Sequence, residues 1–254
     1  MGFEERKRAY RPLLPDVNFI EFNNESDILL INSKTSAVVL ETIQGGAGFI
    51  TPSKNYLKKI KNQCEKVGAL LILDEIQPGI GRTGKLFAFE HYGIIPDILV
   101  YGKGLGGGFP IGALSSSFDN MSLFKENPIL GHITTFGGHP VISAAAYANL
   151  KETLNSGIID SVNQKEKLFR KHLKHELIDE IRGKGLMLAI ILKENNSSYK
   201  LVSKCLEKGL ILFYLLFETK AVRITPPLTI SNTEIKAGCK IIIQVLDELK
   251  ISVH

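Results

Sequence analysis

Three short runs, "AVVLETI" at 37–43, "ALLILDE" at 69–75 and "DILVYG" at 97–102, are apolar almost throughout and are separated by helical or long connecting sequence. A half-exposed strand alternates apolar and polar residues, whereas a continuous apolar run needs cover on both faces. Strands of this kind, joined by long connections, predict an α/β fold with a mostly parallel sheet buried on both sides. Thr51-Pro52 opens a helix with apolar positions at Tyr56, Leu57, Ile60, Cys64 and Val67, and Gly68 stops it. "PIGALSSS" at 110–117 reads as a fourth strand whose direction the pattern leaves open.

The character of the chain changes after about residue 140. "HPVISAAAYANLKETL" is a helix of small residues suited to close packing, and a Lys/Glu-rich amphipathic helix follows at about 159–176. "GLMLAIIL", "LILFYLLF" and "AVRITPP" then read as short strands, and Ser231-Asn-Thr-Glu234 is a capping box opening the last helix. The expected organisation is a large α/β domain over 1–150 and a smaller α+β domain over 151–254.

Several function classes are set aside by composition. The excess of 31 Lys+Arg over 26 Asp+Glu is spread along helices such as "KNYLKKIKNQCEKVG", a solvated face rather than a nucleic-acid footprint. No apolar run has the length of a membrane span, and "MGFEERKRAYRP" lacks the apolar core of a signal peptide. Three separated cysteines suit neither a disulfide framework nor a zinc site, and His172 and His175 read as a surface pair, so no metal is expected. A cytoplasmic setting follows as the expectation.

Two stretches match G-x-G-x-x-G, at Gly79-Ile-Gly81-Arg-Thr-Gly84 and Gly102-Lys-Gly104-Leu-Gly-Gly107. A dinucleotide site needs such a loop to run into a helix that receives the pyrophosphate. The first runs into aromatic-rich "KLFAFEHYG" and the second into Pro110 and another strand, so both are read as turns. What remains is Asp74 and Lys103, each at the C-terminal end of a strand, where open α/β sheets bind ligands. A lysine to bond an aldehyde and a carboxylate to hold a pyridinium nitrogen protonated suit pyridoxal phosphate (PLP). Pattern alone leaves the other reading open, a turn aspartate and an exposed loop lysine.

Longer stretches carry more information. "LLILDEIQPGIGRTGKLFAFEHYGIIPDILVYGKGLGGGFPIGA" closely resembles the signature of class III PLP-dependent aminotransferases, the group of acetylornithine, ornithine, 4-aminobutyrate and putrescine aminotransferases. "ETIQGGAGFI" before it, and "HITTFGGHP", "IRGKGLMLA" and "VRITPPLTI" after it, extend the resemblance in the family's order. It implies the fold type I PLP-transferase architecture. It also implies Lys103 as the Schiff-base lysine, Asp74 as partner of the pyridine nitrogen and Gln77 as the contact to the ring's phenolic oxygen. Thr135, helped by Thr134, is implied to reach the cofactor phosphate of a second subunit in a homodimer. Arg223 resembles the arginine that grips a substrate carboxylate, and Glu41 is a kept substrate-side glutamate. The implied reaction moves an amino group from an ω-amine donor, with acetylornithine first and putrescine second, to 2-oxoglutarate.

Departures from the family pattern are as specific. Gly46 stands where relatives carry a second glutamate able to pair with the carboxylate-binding arginine, which leaves Arg223 available for α-carboxylates. His139 replaces the usual Asn, and Pro78 the usual Thr or Ala. Family members also begin with a long segment that cradles the phosphate and stacks on the ring. The expectation is therefore an incomplete large domain, the C-terminal portion of an aminotransferase. Weak or no activity is expected alone, and a complementary N-terminal half is the expected partner. The rival reading is a non-catalytic fragment.

Overall fold

A computed structural model describes residues 4–130, 132–195 and 197–251. After a single helical turn, α1 (Glu4–Lys7), the chain forms β1 (Ala37–Glu41), α2 (Tyr56–Val67), β2 (Leu70–Asp74), β3 (Ile98–Gly102) and β4 (Gly112–Ser116). These four strands make one sheet in the order β1-β2-β3-β4, with the first three parallel and β4 antiparallel to β3. A short helix α3 (Phe118–Ser122) leads to α4 (Pro140–Asn155) and α5 (Ile158–His172). A second, antiparallel sheet contains β5 (Ile178–Lys184), β6 (Met187–Leu192), β7 (Phe213–Tyr214) and β8 (Ala221–Ile224), in the order β5-β6-β8-β7. Helix α6 (Ser197–Glu207) lies between β6 and β7, and α7 (Asn232–Ile251) follows β8. Residue 150, the expected boundary between the two portions, lies within α4.

Local sequence accounts for the main helices. Asn55 and Gly68 bracket α2 with left-handed backbone, φ 70° and 80°, and the helix buries Tyr56, Leu57, Ile60 and Cys64 while Lys58, Lys59 and Lys66 face water and Lys61 pairs with Asp97. At the start of α7 the capping box closes both ways. Glu234 Oε2 accepts from the Ser231 amide at 2.8 Å, and Ser231 Oγ accepts from the Glu234 amide at 3.2 Å. All six residues of β6 are buried, as its unbroken apolar sequence demands. Among the described residues no helix is long and apolar enough to cross a membrane.

The first sheet corrects one expectation: only one of its faces is well covered among the described residues. Helix α2 packs with Leu71, Leu73 and Leu99, together with residues from the 88–92 turn. On the opposite face Val39 is 53% exposed and Leu114 49%. The connections explain this. Only β1 to β2 passes through a full helix, β2 to β3 contributes a short 3-10 turn to that same side, and β3 to β4 is a tight glycine turn.

The two sheets share a core. Ile43 and Phe49, just beyond β1, pack with Met187, Ala189 and Ile191 of β6 and Ala221 of β8. The turn after β2 presses on the same unit. The Arg82 carbonyl accepts from the Leu186 amide at 2.9 Å. A Cβ on Gly185, where φ is +62°, would stand 2.6 Å from the Arg82 carbonyl oxygen and from Thr83 Cα. Gly185→Ala is therefore expected to lower unfolding stability by about 3 kcal/mol, combining backbone strain with overpacking. Gly209→Ala, with left-handed φ but open space around the new methyl, is expected to cost only about 1 kcal/mol. Urea unfolding of the two variants checks the contrast, and equal midpoints would contradict the tight sheet-to-turn contact.

Candidate active site

The site assembles at the C-terminal ends of β1, β2 and β3. Glu41 and Asp74 are register partners across the β1–β2 ladder, and Asp74 pairs with Val100 of β3 three residues before Lys103. Side chains alternate along a strand, so Asp74 and Glu75 point to opposite faces. Asp74 Oδ1 accepts from the Ile76 amide at 2.9 Å, which turns the chain at the strand end. Glu75 goes the other way. It is fully buried, and its carboxylate accepts from Thr42 Oγ1 at 2.7 Å, the Ala88 amide at 2.9 Å and the Phe89 amide at 2.8 Å.

Glu41 is half-buried and accepts from the Gly45 amide at 2.8 Å. A side chain on Gly45 would run into the Gln77 amide and the Glu41 carboxylate, so glycine is what lets Glu41, Gly45 and Gln77 converge. Burial holds the Glu41 carboxyl above its ordinary range. The Gly45 hydrogen bond opposes that shift, the Asp74 charge adds to it, and Lys103 pulls it back. Glu41 thus senses the charges of both Asp74 and Lys103, while Gln77 lies beside it across Gly45.

Lys103 itself has φ +41°, a conformation that costs a non-glycine residue about 1–2 kcal/mol. Surrounding structure holds it there. Gly102 lies so close to the Ile111 carbonyl oxygen that a Cβ would stand 2.8 Å away. Asn149 Nδ2 of α4 donates to the Gly104 and Leu105 carbonyls at 2.7 and 3.3 Å. An exposed lysine held in strained backbone by glycine packing and a helix is the kind of feature found at functional sites. The two G-x-G-x-x-G stretches are turns, as read. Gly81 packs on Ile159 and Leu228 and Gly84 on Asn163, while Lys103–Gly106 is a single 3-10 turn.

Thr134 and Thr135 lie on an exposed turn ahead of α4 and make no hydrogen bond to Lys103, Asp74 or Gln77 among the described residues. Arg223 lies on β8, in register with Ala189 and Phe213, with its guanidinium carbon 4.9 Å from the centre of the Phe213 ring. It shares a strand face with Ala221, which packs on Ile43 and Phe49, so Arg223 is on the side of the second sheet that meets the first. The chemistry of the donor set fits PLP: an amine for the aldehyde, a carboxylate for a protonated ring nitrogen and an amide for the phenolic oxygen. Glu75, Asn149 and Arg82 are contributors that sequence reasoning missed. The only signal for Glu75 was its adjacency to Asp74 at a strand end, where alternation permits one of the pair to serve the site.

Comparison with known proteins agrees with this fold. The family model "Aminotransferase class-III" matches residues 17–246. The chain belongs to the class III aminotransferases, a PLP-dependent family of fold type I. Among curated relatives it is 39% identical to the acetylornithine aminotransferase of Caldanaerobacter subterraneus over 98% of this chain and 63% of that protein. It is also 39% identical to the putrescine aminotransferase of Pectobacterium atrosepticum, over 90% of this chain and 52% of that one. The chain therefore spans less than two thirds of the length of these relatives. The ornithine aminotransferase of Toxoplasma gondii, whose structure records partial occupancy of PLP at its active site, superimposes with a TM-score of 0.90. That match has 30% identity and covers 99% of this chain and 60% of the other.

At Gly46 the structure adds a neighbour to the missing glutamate. The Gly46 carbonyl accepts from the Phe217 amide at 3.2 Å, and a Cβ there would stand 2.8 Å from the Phe217 ring. Nothing in the structure explains Pro78 or His139. Gly46→Glu is expected to destabilise the chain by about 1–3 kcal/mol, and Phe217→Ala in the same chain should relieve most of that loss. Additive losses in a thermal double-mutant cycle would contradict the packing. A second expectation concerns Glu75, whose carboxyl burial raises above its ordinary 4.5 against the pull of Thr42, Ala88 and Phe89. Because the folded value is raised, the protonated form stabilises fully below about 4.5 and that contribution is lost as pH rises through the folded value. The stability gap between wild type and Glu75→Gln, which does not titrate, should be widest in acid and narrow as pH rises. A gap constant from about pH 4 to pH 8 would contradict this.

Proposed function

We propose that this chain carries the lysine- and aspartate-bearing part of an ω-amine aminotransferase site. In this reading PLP is held by Lys103, Asp74 and Gln77, and by Thr134 and Thr135 across a homodimer. The convergence of Glu41, Asp74, Gln77 and Lys103 at one sheet end is the observation that carries it. When bound, PLP supplies an aldehyde for amines and a ring that withdraws electrons from the neighbouring carbon. Lys103 Nζ would hold the cofactor through its aldehyde and, once free, would move a proton at the amine-bearing carbon. Asp74 keeps the ring nitrogen protonated. Arg223 takes a substrate carboxylate in a planar two-point contact, and Glu41 stands on the substrate side.

An acetylornithine-like donor and 2-oxoglutarate as acceptor are the leading substrates, with a putrescine-type diamine as second reading because a putrescine aminotransferase shares the same 39% identity over a somewhat shorter match. The exposed apolar side chains Phe118, Leu123, Ile129, Leu130, Ile133 and Phe136 support a face covered by a second copy. The open face at Val39 and Leu114 supports further polypeptide over the first sheet, from a complementary chain. The alternative is a chain with no catalysis of its own. The large and small portions, 1–150 and 151–254, a cytoplasmic setting and freedom from metal and nucleic acid complete the proposal.

A visible absorption spectrum of the chain with added PLP tests it. A Schiff-base band is expected in wild type and absent from Lys103→Ala, with acetylornithine changing it more than putrescine does. Identical spectra for wild type and Lys103→Ala would overturn the reading.

A further inference from the structure

Arg82 and Arg223 form a pair of cations without a carboxylate. Arg82 belongs to the turn after β2, yet its side chain crosses to the second sheet. There Nη1 donates to the Leu186 carbonyl at 3.3 Å and to the Pro226 carbonyl at 2.5 Å. Leu186 directly precedes β6, whose Ala189 is the register partner of Arg223, and Pro226 lies three residues beyond Arg223. Among the described residues neither arginine forms an ion pair. Arg223 has only the face of Phe213, and Arg82 only backbone carbonyls.

Carbonyls satisfy hydrogen bonds but do not neutralise charge. The Arg82 guanidinium is held below its ordinary value first by burial and then by the positive charge of Arg223, so the two groups sense each other. Two like charges in a half-buried setting repel, and an anion seated on the accessible one relieves that repulsion. A group bearing a second positive charge would increase it.

We propose that Arg82 is a positioning residue for the carboxylate site, and that its uncompensated charge makes the Arg223 end select carboxylate-bearing substrates over diamines. This rests on the reading of Arg223 as the carboxylate-binding residue. Its hydrogen bonds hold the segments flanking β8, which carries Arg223, and its neighbour β6, while its charge raises the potential that a carboxylate meets.

The test measures binding of succinate and of its uncharged diamide, succinamide, to the full chain by calorimetry. Wild type, Arg82→Met, Arg82→Lys and Arg223→Met are compared. The expected result is that Arg82→Met lowers the succinate-to-succinamide preference about tenfold, whereas Arg82→Lys retains most of it. A structural role alone would weaken both probes equally in Arg82→Met and in Arg82→Lys, and that overturns the proposal. If Arg82→Met does not fold, Arg82→Lys decides alone: a kept preference supports the charge role, and a lost one overturns it. Arg223→Met separates the two layers of the argument. Succinate binding that depends on Arg223 but ignores Arg82 overturns only the role of Arg82. Succinate binding indifferent to Arg223, or no preference for succinate in wild type, overturns both.

Discussion

Glu75 accepts from Thr42, Ala88 and Phe89 in a position closed to solvent, and much of the site hangs on that carboxylate. Thr42 stands one residue past β1, and Ala88 and Phe89 open the turn that returns the chain toward β3. One side chain therefore ties the ends of two strands to the far end of the 76–87 excursion. That excursion carries Gln77 to the Glu41 side and Arg82 to the second sheet. A buried carboxylate is costly unless fully hydrogen-bonded, and here both oxygens are satisfied. Losing one acceptor would leave backbone amides stranded as well as loosen the turn.

Glycine serves the site in two distinct ways. At Gly45 and Gly102 the need is proximity, because a Cβ would collide with Gln77 and Glu41 in one case and with the Ile111 carbonyl in the other. At Gly81, Gly84 and Gly185 left-handed backbone is combined with close packing, of Gly81 and Gly84 against Ile159 and Asn163 of α5 and of Gly185 against the turn after β2. The glycine-rich look of the sequence around Lys103 thus reflects how tightly the β3–β4 turn folds back, with Asn149 fastening it from α4.

Much of this was legible from residue pattern. The three parallel strands, α2 with its glycine stop, and the Ser231–Glu234 box were each encoded in a few adjacent residues, and local rules suffice for such features. Strand β5, "IDEIRGK", was missed because an edge strand carrying charges has no apolar run to reveal it. "LILFYLLF" yields only the two-residue β7: Leu210 and Leu212 pack on the core of the second unit, while Ile211, Phe213, Tyr214 and Leu216 are exposed. The antiparallel sense of β4 depends on a tight turn, and pattern has no direction. Glu41 entered only through the family resemblance, whereas Asp74 and Lys103 could be placed at strand ends. Glu75, Asn149 and Arg82 could not, because each acts on backbone groups distant in sequence, 44 and 45 residues away for Asn149 and 104 and 144 for Arg82.

Electrostatics then divides the site between the two sheets. The first sheet gathers carboxylates and a lysine, and Glu41 is raised by burial and by Asp74. The second presents Arg223 backed by Arg82, with no negative partner among the described residues. Between them lies the shared core of Ile43, Phe49, Met187, Ala189, Ile191 and Ala221. Packing of that density resists small changes in volume, so it fixes the spacing of the two charged ends. A ligand spanning both would be read by length and polarity together, through the rigidity of an apolar seam that touches neither end.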